Sequence, residues 1–275
     1  MDIVGAINEL RAKGEDFNPV TDADYMQNGV LMCGNCHTPK RKAVTMLGKD
    51  WMMPIACRCA NERFEADEAR ERKKEADRLR RECFVSPELF GWNFANDDGK
   101  DAKLSKAARE YVGNFDKFLE KGKGLIFFGP TGRGKSFIAG CIANALMDKG
   151  KPCLMTNFSN IERMYRNRFG VKEENSLDLS RYKLLCLDDF GAERDTAYMQ
   201  EIVFSVIDER YQARLPLLLT TNLTIEELKK PKNITEERIF KRVLERCFPI
   251  EATGPDRRVL NIREDYDGMK EMLGL

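Results

Sequence analysis

The octapeptide GPTGRGKS, Gly129 to Ser136, stands between the apolar run GLIFFG and the helix-forming run SFIAGCIANALMD, and no other feature constrains the fold as much. The pattern G-x-x-x-x-G-K-[ST] is a loop whose backbone N–H groups surround phosphate oxygens. It functions where a strand ends and a helix begins, because the helix N-terminus adds partial positive charge. Gly129, Pro130, Thr131, Gly132, Arg133, Gly134, Lys135, Ser136 and Phe137 are therefore the expected nucleotide-binding residues. Lys135 is expected on the β and γ phosphates of ATP, and the Ser136 hydroxyl on Mg²⁺.

The same alternation continues downstream. Apolar runs PCLMTN, YKLLCLDDF and PLLLTTN are separated by the amphipathic segments FSNIERMYRNRFG and TAYMQEIVFSVIDERYQARL, and a helix over about 104–120 precedes the loop strand. Strands read as continuous apolar runs predict an α/β fold, a parallel sheet covered by helices on both faces. Ligands bind at the C-terminal ends of such strands. Asp188, at the end of LLCLDDF, is thus expected to hold the Mg²⁺ water shell, and Asp189 to orient or deprotonate an attacking water. Asn222, ending LLLTTN, can hydrogen-bond both the γ-phosphate and that water.

At 275 residues and 42% hydrophobic content the chain can bury a sizeable core, and the net charge of +1 excludes a protein that coats nucleic acid by bulk charge. No apolar run approaches the roughly 18–20 residues of a membrane span, and the first residues lack a signal-peptide pattern, so a cytoplasmic protein with no membrane contact is expected. Residues 1–30 are acidic, with a short helical pattern at Ile3, Ile7 and Leu10, which suits a protein partner better than DNA. Residues 60–84 balance acidic against basic side chains within one helical turn and read as a solvated connector helix.

Nine cysteines in a reducing compartment do not read as a disulfide framework. Cys83, Cys141, Cys153, Cys186 and Cys247 are scattered among apolar residues and are expected to pack. The other four follow C-x2-C-x20-C-x-C, and Cys33, Cys36, Cys57 and Cys59 can present the four-sulfur tetrahedron that structural Zn²⁺ prefers. His37, the single histidine, could replace a sulfur, but its adjacency to Cys36 makes joint ligation awkward. The resulting division is a zinc-binding, partner-docking module over 1–59, a charged helical connector over 60–85 and an ATPase domain over 86–275.

In order and wording, YVGNFDKFLEKGKGLIFFGPTGRGKS, LLCLDDFGAE and RYQARLPLLLTTNLT resemble the AAA+ ATPases, and among them the helicase-loader group of DnaC and DnaI, with the transposition ATPase IstB as a relative. The resemblance covers about Phe84 to Leu260 and is nearest the DnaI branch. It implies a P-loop NTPase that loads a hexameric, DnaB-like replicative helicase onto single-stranded DNA in replication initiation or restart. It also implies self-association through the ATPase domain, with ATP between subunits. By similarity Arg242, on a segment that also carries Arg238 and Arg246, matches an arginine finger acting in trans. Either Arg257 or Arg258, the latter preferred, matches the sensor-II arginine acting in cis. Aspartate at 189 replaces the glutamate of most AAA+ proteins and implies slow, switch-like hydrolysis. The DnaI-like loaders grip the helicase through a cysteine-rich N-terminal region, which assigns docking to the thiol module. The helix after PCLMTN, with Arg163, Arg166 and Arg168 beside Phe158, Tyr165 and Phe169, is a candidate contact for single-stranded DNA. The alternatives are an IstB-like ATPase that assists a transposase, which would not carry the thiol module, and a nucleotide kinase, against which the late arginines argue.

Overall fold

The computed structural model describes residues 18–46, 48–84, 86–168, 178–194 and 196–274. The helical pattern at Ile3, Ile7 and Leu10 lies outside them, as do Phe169 and the Arg168 side chain. The chain divides into two compact units, Met1–Lys73 and Lys74–Leu275.

The first unit holds two antiparallel hairpins, β1 (Tyr25–Gln27) with β2 (Val30–Met32) and β3 (Arg41–Met46) with β4 (Lys49–Pro54). Two strands alone cannot close a core, and the cluster of buried residues here is small, centred on Cys33, Cys57 and Ala60. The ion pair between Lys40 and Asp24 adds to it, with Nζ 2.6 Å from Oδ2 and both side chains buried. Asp24 Oδ1 accepts from the Gly34 N–H at 3.0 Å, which fixes the loop between the first two thiols. The hydrogen bond from Lys40 holds the Asp24 carboxyl far below the usual carboxylate range. Lys40 is thereby removed from the basic cluster that it forms in sequence with Arg41 and Lys42.

Helix α1 (Arg58–Cys83) is the charged connector, and it begins two residues earlier than the composition suggested, taking Cys59 into its first turn. Its charges pair within the helix, as in Arg72–Glu68 and Arg78 with Glu75 and Glu82. Residues up to Lys73 belong to the first unit and the remainder to the second. In the second unit Arg80 donates to Asn144 Oδ1 at 2.8 Å and pairs with Asp148.

The helix expected over 104–120 is two helices, α2 (Ala102–Gly113) and α3 (Phe115–Lys121). The break falls at Asn114, whose φ of −110° and ψ of 19° leave the helical region next to Gly113. The parallel sheet follows: β5 (Gly124–Phe128), β6 (Cys153–Thr156), β7 (Leu184–Leu187), β8 (Leu217–Thr221) and β9 (Cys247–Glu251), in the spatial order β6-β7-β8-β5-β9. Between them run α4 (Lys135–Asp148), α5 (Phe158–Arg168), α6 (Ala197–Gln212), the single turn α7 (Ile225–Leu228) and α8 (Ile234–Arg246), and α9 (Arg257–Leu273) closes the chain. Helix α4 is buried nearly all round, as its largely apolar sequence requires.

Strand β9 escaped the pattern reading because CFPIE is short and contains Pro249. Proline lacks the N–H that a second neighbour would need, and β9 is accordingly an edge strand, paired among the described residues only with β5. Cys83, Cys141, Cys153, Cys186 and Cys247 are all buried, as packing residues should be. Arg210 is wholly buried, with no carboxylate partner among the described residues. Its guanidinium donates to the carbonyls of Leu179, Tyr182 and Pro216 at 3.0, 2.7 and 2.7 Å, pinning the entries of β7 and β8. Burial pulls its pKa down to about 10.

Candidate functional site

All five strands run parallel, so their C-terminal ends share one edge of the sheet. The order puts β8, which delivers Asn222, between β5, which delivers the phosphate loop, and β7, which delivers Asp188 and Asp189. Three elements therefore meet at adjacent strand ends, with Lys135 and Asn222 87 residues apart in sequence.

The loop can turn here because Gly132 and Gly134 have φ of +76° and +84°, and a Cβ on them would strike Asp256 and Arg257 respectively. The Arg257 N–H donates to the Gly132 carbonyl at 2.9 Å, and its Nη1 donates to the Arg133 carbonyl at 2.8 Å. Arg133 in turn donates to the carbonyl of Gly254. The loop is thus tied from outside to the segment that follows β9. Asp101 closes the tie by accepting the N–H groups of Thr253 and Gly254 at 2.7 and 2.9 Å.

Lys135 is buried and donates to the carbonyls of Gly129 and Pro130, both at 2.7 Å, and to Asn222 Oδ1 at 2.8 Å. Desolvation lowers its pKa, opposed by the charges of Asp189 and Asp188. Opposite it, the buried Thr220 hydroxyl donates to Asp188 Oδ1 at 2.5 Å and accepts from the Asp189 N–H at 3.0 Å. Asp189 itself sits at φ +54°, a left-handed conformation that aspartate and asparagine tolerate better than most residues. Its carboxyl is shifted above the ordinary range, first by desolvation and then by Asp188 beside it.

Two arginines follow one another at the start of α9, and the structure gives them different surroundings. Arg257 is engaged by Asp98, at 2.6 and 3.0 Å, as well as by the loop carbonyl. Arg258 is exposed, and its charge acts on both Lys135 and Asp189. Arg242 is not at this edge. It lies on α8, one turn before the chain enters β9 at the opposite edge, with Nη2 2.7 Å from Asp208 Oδ1 and its guanidinium over the Phe204 ring at 4.9 Å.

The edge therefore gathers the loop 129–137 with Lys135, Asp188, Asp189, Asn222 and Arg258, an array that can bind a triphosphate and act on its terminal phosphorus. For Mg²⁺, Ser136 opens α4 and Asp188 keeps a second carboxylate oxygen beyond the one held by Thr220, a hard-oxygen pair of the right kind. Sequence reasoning missed Thr220, Asp98 and Asp101. The first had a signal, since a buried strand that ends in two threonines has hydroxyls to place; the other two read only as a boundary.

The four thiols come together as a set. The ligand atoms of Cys33, Cys36, Cys57 and Cys59 all lie within 4.8 Å of one another, with Cys33–Cys59 at 3.6 Å and Cys57–Cys59 at 3.5 Å. A tetrahedron with metal–sulfur bonds of ~2.3 Å has edges of about 3.8 Å, so the donor set fits Zn²⁺. The first pair forms a knuckle in which the backbone N–H groups of Cys36 and Asn35 lower the Cys33 pKa. Hydrogen bonding led by the Thr38 hydroxyl brings Cys36 down to about 5, whereas burial pushes Cys57 up to about 12. The second pair stands at the start of α1. His37 is outside the set and instead meets the Tyr25 hydroxyl, 3.1 Å from Nδ1.

Helix α5 departs from the base-stacking arrangement. Phe158 is buried against Phe190, and Tyr165 packs partly buried on the core. Arg163 and Arg166 are exposed, the latter 2.5 Å from Glu162. No helix among the described residues is long and apolar enough to cross a membrane.

The chain is 33% identical over 150 residues to the replicative helicase loader DnaC of Escherichia coli (strain K12), a match covering 53% of this chain and 58% of DnaC. It is 27% identical over 203 residues to the replicative helicase loader DnaI of Bacillus subtilis (strain 168), covering 68% of this chain and 65% of DnaI. The chain thus spans somewhat under two thirds of either relative's length. Among solved structures, that of the DnaC helicase loader superposes with a TM-score of 0.54 at 20% identity, covering 61% of this chain and all of that one, which shows a shared fold. A model of the family described as IstB-like ATP binding protein matches residues 67–261, and on that match the chain belongs to this family.

Proposed function

We propose that the chain is a cytoplasmic, ATP-dependent loader that places a hexameric replicative helicase on single-stranded DNA. The observation that carries this reading is the presence, in one chain, of a gathered nucleotide edge and a separate four-thiol unit. The edge accounts for ATP use, and the thiol unit supplies a surface for a partner. The names of the relatives, both replicative helicase loaders, support the same assignment.

In this account the loop N–H groups and Lys135 bind the phosphates, which compete with Asn222 and two carbonyls for the ammonium hydrogens. Ser136 and Asp188 would hold Mg²⁺, which neutralises charge building on the phosphate oxygens. Asp189 orients the attacking water and accepts its proton, while Asn222 fixes the γ-phosphate. Arg258 supports that phosphate in cis, and Arg242 does so on a neighbouring copy, after leaving Asp208. The short side chain of Asp189 leaves the base farther from the water and favours slow turnover, below about 1 s⁻¹, suited to a switch. Cys33, Cys36, Cys57 and Cys59 would hold Zn²⁺, joining the knuckle to the start of α1, and the module so fixed docks the helicase. Arg163 and Arg166 contribute phosphate contacts to single-stranded DNA, without ring stacking from Phe158.

The test is helicase-dependent unwinding from a closed circular single strand coated with single-strand-binding protein. The full chain with MgATP should start unwinding that the helicase alone does not, and Lys135→Ala should remove the effect. An equal unwinding rate with and without the chain refutes the reading.

A further inference from the structure

Strand β8 ends on two threonines, and the second, Thr221, is wholly buried. After Leu217, Leu218 and Leu219, a valine of the same branched shape would fill this position without bringing a polar group into the interior. A buried hydroxyl is costly unless it is hydrogen-bonded. The bonds that Thr221 makes therefore say what the hydroxyl is for.

Its Oγ1 donates to the Phe190 carbonyl at 2.6 Å and accepts the Leu223 N–H at 3.1 Å. Phe190 follows Asp189, and Leu223 follows Asn222. One hydroxyl thus spans the loop after β7 and the loop after β8. On the first side it meets a fixed point. The Asp189 N–H donates to Thr220 Oγ1 at 3.0 Å and the Phe190 N–H to the Thr220 carbonyl at 2.7 Å, while Phe190 is buried with its ring against Phe158 and Phe240. On the second side, the hydroxyl accepts the N–H two residues on and closes a turn around Asn222, whose Oδ1 receives Lys135. Thr220 serves the two aspartates alone; Thr221 ties their loop to Asn222.

We propose that Thr221 is a positioning residue for ATP hydrolysis, its hydroxyl fixing the distance between Asp189 and Asn222 so that carboxylate and amide bear on one water. The inference deepens the ATPase part of the proposed function and rests on it. Donor to one loop and acceptor from the other, the hydroxyl makes two bonds that polarise each other, so a shift of either loop weakens both. Attack on phosphorus is sensitive to misplacement of about 1 Å, and two groups carried on separate loops hold their spacing only through such a tie. Thr221 itself needs no contact with phosphate or water.

The test uses the full chain and measures steady-state MgATP hydrolysis, titration with a fluorescent ATP analogue and urea unfolding. Thr221→Val should lower kcat at least about tenfold and change nucleotide affinity no more than about threefold. Thr221→Ser, which keeps the hydroxyl, should hydrolyse within about threefold of wild type. In an Asn222→Ala background the valine should cost no more than about threefold, because a spacing has no meaning once one member is gone. A merely structural role gives the opposite pattern, in which the two losses multiply and serine fails as valine does; either result overturns the proposal. Should Thr221→Val not fold, Thr221→Cys, with a weak hydrogen-bonding group of similar size, is held to the same outcomes. Hydrolysis equal in wild type and Thr221→Val overturns this inference alone. A wild type that does not hydrolyse MgATP overturns the ATPase reading with it.

Discussion

Lys135 Nζ donates to Asn222 Oδ1 across 2.8 Å, joining the phosphate loop to the tip of the strand between the loop and the acidic pair. The contact lets one amide register whether a phosphate has taken the ammonium. Asn222→Ala should therefore lower kcat for ATP hydrolysis by about 10- to 100-fold, with nucleotide affinity changed no more than about threefold. Steady-state kinetics with a fluorescent nucleotide titration separates the two quantities. A loss confined to affinity would assign Asn222 to binding alone.

Asp189 offers a test through its backbone as well as its charge. At φ +54° asparagine is the replacement with least strain, so Asp189→Asn should fold normally, bind ATP and hydrolyse it at least about 100-fold more slowly. The raised pKa also sets a pH dependence. A base is active when deprotonated, and a carboxyl titrating above its ordinary range loses activity at a higher pH as the solution is acidified. The acid limb of the kcat profile should accordingly lie above that of an ordinary carboxylate and should vanish in Asp189→Asn.

Thr220 is the residue whose removal should show how much the acidic pair depends on support from behind. Thr220→Val keeps the shape, leaves Asp188 without its hydroxyl donor and leaves the Asp189 N–H without its acceptor. The expected cost is about 1–3 kcal/mol of stability, measured by urea unfolding, together with a fall in hydrolysis. A variant as stable and as active as wild type would show that water replaces the hydroxyl on both sides.

Zinc content tests the thiol unit. The purified chain should contain about one zinc per molecule, and Cys33→Ser or Cys57→Ser should lose it, because each leaves a three-sulfur set with a buried gap. The loop 129–137 and the other residues proposed for the nucleotide all lie in the second unit, so ATP affinity should be unchanged in both variants. Full zinc occupancy in Cys57→Ser would remove that residue from the ligand set.

The candidate site was legible where its signal was local. The loop 129–137, Asp188, Asp189 and Asn222 each sit at the junction of an apolar run with polar residues, a pattern visible without knowing the strand order. What pattern could not supply was proximity across the chain. The service of Thr220 to Asp188 depends on β8 lying beside β7, and the clamp of Asp98 on Arg257 joins residues 159 apart in sequence. The sequence left Arg257 and Arg258 nearly equivalent; in the structure Asp98 and a loop carbonyl engage Arg257, whereas Arg258 is exposed. Strand β9 was hidden by Pro249, and Lys40 read as part of a basic cluster until its burial against Asp24 was seen. Both are tertiary overrides of a local rule.

The most direct test of the account is co-purification of the full chain with the replicative helicase of the same source, performed with and without MgATP and repeated with Cys33→Ser. The account predicts a stable complex with the wild-type chain that is strengthened by ATP and weakened at least about tenfold by the thiol substitution. No complex in either nucleotide condition would contradict it and would favour a transposase-assisting ATPase instead.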